Sequence, residues 1–258
     1  MTTTEGDRGQ LPSLEPWPRV DFERFGPVER TALSRIRQRI IGRLTRNWVW
    51  IPHVTHHDRA DITTLERLRR SINERADPSE PKLTVLAFLL SALAVVLREY
   101  PQFNAALDGN QLVLRRYYHI GIATDTRAGL LVPVLRDVDR RGVREIATEV
   151  TALAETARQG KLTPTQMAGG TFTVSSLGAL GGFAFTPIIN APEVAILGVT
   201  RAEIAPVWNG SEFVPRLMLP LSLSYDHRVI DGADAARFVT RIAALLSDVL
   251  PSDLDSYL

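Results

Sequence analysis

Between residues 28 and 48, apolar side chains recur at Leu33, Ile36, Ile40, Ile41, Leu44 and Trp48. That spacing gathers them on one face of a helix, with arginines covering the other. Residues 49–55, carrying Pro52, read as an extended segment. A second helix is expected to start at Asp61 or Thr63 as N-cap and to run to about Asn73. Residues 83–100 are apolar nearly all round, interrupted by Ser91, which predicts a helix buried on most sides and stopped by Pro101.

Asp108-Gly109 is a hairpin signal between short apolar runs. Residues 112–124 and 130–135 read as strands. Val143, Ile146, Ala147, Val150, Leu153, Ala154 and Ala157 make a further amphipathic helix with Gly160 just past its end, and Thr163-Pro164 suits the start of a short helical turn. A strand over 171–176 enters a glycine-rich loop at 178–182. Strands are expected at 194–199 and 216–225 with a turn at Asn209-Gly210 between them. In the second of these, Leu217, Leu219, Leu221 and Leu223 alternate with Met218, Pro220, Ser222 and Ser224, a period of two. A last helix is expected over 233–249. Helices and strands are mixed without strict alternation, which favours an α/β (α+β) two-layer sandwich over a doubly wound sheet.

The chain has 258 residues, 45% hydrophobic and 23% charged, enough for a sizeable core. Residues 1–19, rich in Thr, Gly, Pro and charge, read as a flexible leader or linker, leaving residues 20–258 as one domain. A net charge of +1 gives no electrostatic case for nucleic acid or a membrane surface as partner. There is no cysteine, so disulfides, thiolate metal sites and cysteine nucleophiles are excluded. A cytoplasmic location is the default expectation.

Three places can carry chemistry. The run 226–232, Asp-His-Arg-Val-Ile-Asp-Gly, lies between a strong strand and a helix. An imidazole there, at His227, titrates near neutrality and can take and return a proton. Asp226 and Asp231 flank it, and Arg228 can pair with either. Taken alone, the same residues also fit a capped strand-to-helix turn. Ser175 and Ser176 end a strand before the glycine-rich loop, where a hydroxyl can donate to an oxyanion or merely begin a turn. No Gly-x-Ser-x-Gly elbow surrounds them, so a serine nucleophile is not indicated. His53, His56 and His57 lack the spacing of a metal motif; one of them lining a pocket is the better reading. His119 reads as a partly buried, hydrogen-bonded residue. The stretch 178–182 lacks the endings of a phosphate loop.

The run 226–232 resembles the catalytic motif shared by the 2-oxo acid dehydrogenase acyltransferases and the chloramphenicol acetyltransferases. The run 169–178, Gly-Gly-Thr-Phe-Thr-Val-Ser-Ser-Leu-Gly, is similar to a second signature of the former, and 185–199, from Phe185-Thr186-Pro187 to Gly198-Val199, to a third. Arg46-Asn47-Trp48, 51–55 and Asp61-Ile62-Thr63 resemble the pyruvate-type branch. The likeness spans about residues 16–248.

This resemblance implies a chloramphenicol acetyltransferase-like fold and the exchange of an acetyl group between dihydrolipoamide and coenzyme A, both of them substrates, with no metal. His227 matches the base that takes the thiol proton, and Ser175 the oxyanion donor, with Ser176 the alternative one place along. Asp231 matches a position that is Asp or Asn and supports the histidine loop; Arg228 joins the local ion pairs. The resemblance further implies a homotrimer whose sites draw histidine and serine from neighbouring subunits, lipoyl domains and other dehydrogenase-complex components as partners, and a cubic cage of twenty-four subunits. Residues 250–258, acidic and interrupted by Pro251, depart from the apolar tail that joins trimers in such cages. Neither Lys82 nor Lys161 sits in a lipoylation-like hairpin, so a core without a lipoylation site is expected. A non-catalytic scaffold of the same fold, and succinyl or branched-chain specificity, are the alternatives.

Overall fold

The computed structural model describes residues 16–127, 129–178 and 180–248, and the chain divides into two compact units between Leu33 and Ser34. The described part of the first unit, 16–33, holds a short 3-10 turn at Phe22–Arg24 and an ion pair between Glu23 and Arg30.

The second unit opens with α1 (Arg35–Trp50), capped by Ser34, whose Oγ accepts from the Arg37 amide at 3.2 Å. The apolar stripe read from the sequence is present, but Ile36, Ile41, Leu44 and Trp48 are 40–58% exposed and only Asn47 is buried. The helix also runs two residues further than expected, so the extended segment begins at β1 (His53–Asp61) rather than at Val49. Then come α2 (Thr63–Arg75) and α3 (Val85–Glu99). Asp61 serves the start of α2 by accepting from the Thr63 amide and hydroxyl at 2.9 and 2.5 Å. As its all-round apolarity foretold, α3 is the central buried helix, and it ends one residue before Tyr100.

The Asp108-Gly109 turn joins β2 (Ala105–Asp108) to β3 (Gln111–Leu114) in a separate two-stranded hairpin. The long strands expected over 112–124 and 130–135 shorten to β4 (Ile120–Ala123) and β5 (Val134–Leu135). Arg115 interrupts the first of them: its guanidinium leaves the strand line to bond the carbonyls of Ala105, Gly170 and Thr171. After α4 (Val143–Arg158), β6 (Phe172–Ser176) and β7 (Ala195–Val199), a strand unforeseen in the sequence appears, β8 (Glu203–Trp208). Pro206 and two charges within 201–206 mask its pattern. It forms a hairpin with β9 (Phe213–Asp226) through the Asn209-Gly210 turn. Last comes α5 (Gly232–Ser247). The terminal segment 250–258 lies outside the described residues, and among the described residues no helix is long and apolar enough to cross a membrane.

The main sheet is mixed, in the order β1-β9-β7-β6-β4-β5, with β8 on β9. β4, β6 and β7 run parallel; β9 is antiparallel to β7 and to β1. Alternation decides which side each residue faces. Phe172 and Val174, Leu197 and Val199, and Leu219, Leu221 and Leu223 enter the large core under α3, α4 and α5. Phe103 and Phe238 stack there at 4.0 Å. The other face carries Thr173, Ser175, Ile196 and Gly198, roofed by the segment around Phe185 and Ile189.

Candidate active site

His227 follows the last residue of β9. Asp226, 2% exposed, organises the corner: its Oδ1 accepts from the Arg228 amide at 3.0 Å and from Arg228 Nε at 2.9 Å, and its Oδ2 from the other guanidinium arm at 2.6 Å. The Asp226 carbonyl accepts from the amides of Val229 and Ile230, its own amide donates to Val194, and the His227 amide donates to Pro52. The buried carboxylate raises the Arg228 pKa further by hydrogen bonding. Arg228 therefore pairs with Asp226 rather than with Asp231. With its backbone so fixed, the His227 imidazole is exposed, 5.7 Å from the Tyr225 ring.

Asp231 takes the N-cap position of α5 with extended backbone, yet its carboxylate makes no cap bond and stands exposed. Burial, and next the Asp231 charge, push the Tyr225 hydroxyl above its ordinary pKa.

Ser175 is half-buried and lines a cavity of about 310 Å³ with Thr173, Phe185, Asn190, Ile196 and, from α1, Ile40. The cavity depends on Gly198: a Cβ there would lie 2.6 Å from the Phe185 ring, so only glycine lets that ring rest on β7. Ser176, the alternative, faces another cavity, beside Gly178 and Thr200.

The two halves are not together in one chain. Ser175 is in register with Gly198, and Gly198 with Ser222, two strands over. His227 lies beyond the other end of β9. At ~3.3 Å per residue and ~4.8 Å per strand, the two residues are about 19 Å apart.

Among the described residues, the histidines of β1 belong to no group of three metal-capable side chains. His57 Nδ1 bonds Ser222 Oγ at 2.9 Å. His53 pins the wall of the Ser175 cavity from behind. Its Nδ1 donates to the Ile51 carbonyl at 2.8 Å, its Nε2 accepts from the Ile189 amide at 3.0 Å, and Trp48 stacks on its ring. Asn47 holds the same residue from the other side, donating to the Ile189 carbonyl at 2.9 Å. His119 is hydrogen-bonded as expected, accepting from the Asp137 amide at 3.1 Å.

Glu193 lies in the run 185–199 that resembles the family's third signature, but no role follows for it from the sequence. It is 4% exposed, and accepts from Thr173 Oγ1 at 2.6 Å and from Asn190 Nδ2 at 3.1 Å. Burial pushes its pKa up to about 7, against the lowering effects of those two donors and of Arg115. The available signal was a lone acid inside the apolar run 191–199.

A mixed sheet with α3, α4 and α5 packed on one face, a histidine held out at a strand–helix corner and a serine hydroxyl lining an apolar cavity on the other face fit an acyltransferase catalytic domain. The chain belongs to the family described as 2-oxoacid dehydrogenases acyltransferase (catalytic domain), matched over residues 25–252. It is 58% identical over 240 residues to the dihydrolipoyllysine-residue acetyltransferase component of the pyruvate dehydrogenase complex of Cupriavidus necator, covering 93% of this chain and 43% of that protein. The chain thus spans less than half the length of that relative. Among solved structures it resembles Azotobacter vinelandii dihydrolipoamide acetyltransferase, studied for the role of a serine, a histidine and an asparagine in its catalytic mechanism. That match has 51% identity and a TM-score of 0.89, covering 91% of this chain and 98% of the other. It is equally similar to the cubic core of a pyruvate dehydrogenase multienzyme complex, at 52% identity, TM-score 0.89 and the same coverage. Chloramphenicol acetyltransferase, 13% identical with a TM-score of 0.53 over 79% of this chain and 95% of that one, shares the fold. The fold is therefore the expected α+β sandwich of the chloramphenicol acetyltransferase type.

Proposed function

We propose that this protein transfers an acetyl group between dihydrolipoamide and coenzyme A, as the core of a pyruvate dehydrogenase complex. His227 acts as general base and Ser175 as oxyanion donor. The observation that carries the reading is the pair of half-sites: a backbone-pinned, exposed imidazole at one end of the sheet and a hydroxyl lining a largely apolar cavity at the other. One imidazole nitrogen takes the proton of the attacking thiol. The thiolate adds to the thioester carbonyl, and the Ser175 hydroxyl donates to the resulting oxyanion. The intermediate collapses by breaking the bond to the departing sulfur, which receives the proton from the imidazolium. No acyl-enzyme is required, since exchange between two thioesters is nearly balanced in energy. General-base catalysis is worth about 10²–10⁴-fold and one oxyanion donor about 2.7–4 kcal/mol. Asp231 supports the corner electrostatically.

A separation of about 19 Å is too great for one base and one donor to share a carbonyl. A second copy therefore completes the active site; a homotrimer with one site at each boundary is what the family resemblance implies. The exposed apolar stripe of α1 supports this, being a surface that a single chain leaves uncovered. The likeness to a solved cubic core supports further assembly of trimers into a cubic cage. Lipoyl domains and the other components of the complex are the partners in this reading, residues 20–258 are its catalytic domain behind a leader at 1–19, and the cytoplasm is its location.

The test compares acetyl-, succinyl- and isobutyryl-CoA as donors to dihydrolipoamide, with His227→Ala beside the wild type. Preference for acetyl-CoA and a loss of at least about 10²-fold in the variant, with assembly unchanged, are expected. An assembled wild type without transfer activity would make the chain a scaffold.

A further inference from the structure

We propose that Glu193 is a positioning residue of the acyltransfer site: its buried carboxyl holds the wall of the Ser175 cavity in register with the strand that carries the serine. This rests on the acyltransfer reading and adds a residue to it.

The geometry is specific. One carboxyl oxygen of Glu193 accepts from Thr173, two residues before Ser175 on β6, and the other accepts from Asn190. Both Thr173 and Asn190 line the Ser175 cavity, one from its floor and one from its roof. The carboxyl is thus the tie between the sheet and segment 185–193. Two further polar ties hold this stretch, both at Ile189, from His53 and Asn47. On its other side Glu193 lines a cavity of about 300 Å³ whose wall includes Asp226 and Arg228, and the next residue, Val194, accepts from the Asp226 amide at 2.8 Å. Glu193 and the residue after it therefore adjoin both the serine half-site and the base of the histidine corner of the same chain.

A carboxyl out of water is costly, and its pKa stays raised because its two donors offset the desolvation of the charged form only in part; an apolar residue there would leave the Thr173 and Asn190 donors without an acceptor. Gly170 is shaped around the group: a Cβ there would lie 3.1 Å from Glu193 Oε1. Two donors arranged about a buried acid, each also a cavity wall, are what a site needs when sub-ångström placement of a hydroxyl controls rate. The charges facing the carboxyl are Arg115 behind it and, across the second cavity, Arg46 from α1 with Asp226 and Arg228 from the corner. A buried acid that titrates near neutrality among these groups makes the tie strongest when ionised, because the carboxylate accepts both bonds whereas the protonated group must donate one.

The experiment uses the assembled protein, with acetyl-CoA and dihydrolipoamide, across pH 5.5–9. Glu193→Leu, which keeps bulk and removes both bonds, is expected to lower kcat at least about tenfold while KM for acetyl-CoA changes less than about threefold. Glu193→Gln is expected to recover most of the loss and to remove one ionisation near neutrality from the wild-type kcat–pH profile. Thr173→Val, which cuts one tie, provides a second reading should Glu193→Leu fail to assemble, with kcat again falling more than KM rises. Unchanged kcat in assembled Glu193→Leu, or in Thr173→Val where Glu193→Leu does not assemble, overturns the inference. So does a Glu193→Gln profile superimposable on the wild type. A wild type without transfer activity would instead overturn the acyltransfer reading beneath it.

Discussion

His227→Ala and Ser175→Ala, each inactive alone, should restore one another when assembled together. The register of β6, β7 and β9 puts the two residues about 19 Å apart in one chain. Each site in a trimer then takes its serine from one copy and its histidine from the next. When the two variants are unfolded, mixed equally and refolded, a site works only if its serine comes from the histidine variant and its histidine from the serine variant. Random assembly produces that pairing in about a quarter of the sites. The loss of the base leaves about 1% or less of the wild-type rate, and the loss of the donor about the same. The mixture should therefore turn over at about 25% of wild type against a background near 1%. The assay is thiol-dependent transfer from acetyl-CoA to dihydrolipoamide, with two affinity tags to prove co-assembly, and with separately folded trimers mixed afterwards as the control. If doubly tagged particles form and remain at the background rate, histidine and serine do not meet across a subunit boundary, and the two half-sites have been misread.

Four further outcomes follow from particular contacts. Gly198→Ala places a methyl group 2.6 Å from the Phe185 ring, so it should cost about 1–3 kcal/mol of stability and lower kcat/KM by moving that ring; urea unfolding and initial rates will show whether it does. Asn47→Ala frees the Ile189 carbonyl and should cost about 1–3 kcal/mol by thermal unfolding, with activity falling as the cavity roof loosens. Leu44→Asp with Trp48→Asp on α1 should dissociate the oligomer in sedimentation and abolish transfer; a stable, active assembly would mean that the exposed stripe is not an interface. The Glu193 pKa, raised from 4.5 to about 7 by burial, favours the neutral acid in the folded protein. Its linked stabilisation is complete below pH 4.5 and is lost as pH rises to about 7, a swing of about 3 kcal/mol at about 1.4 kcal/mol per unit. Urea unfolding at fixed protein concentration should find Glu193→Gln lacking that slope, and equal slopes would refute the burial argument.

Helical and strand periods carried most of the fold. α3 was legible because its apolarity runs all round, and β9 because leucines alternate through it, so each element announces how many of its faces meet protein. The corner at 226–232 and the strand end at 175 were legible as well, since the residues that make a strand stop beside a reactive side chain are neighbours in sequence. β8 was not, because a charged, proline-bearing edge strand is made by its partner β9 rather than by its own pattern. What only the tertiary structure decided is which distant groups meet. The stripe on α1 promised a buried face, yet the folded chain leaves it open, because periodicity reports that a face seeks a partner and not whether that partner belongs to the same molecule. His53 and Asn47 closing on Ile189, Glu193 between Thr173 and Asn190, and the distance between His227 and Ser175 all arise from strand order and register. These are long-range pairings, and no local preference along the chain encodes them.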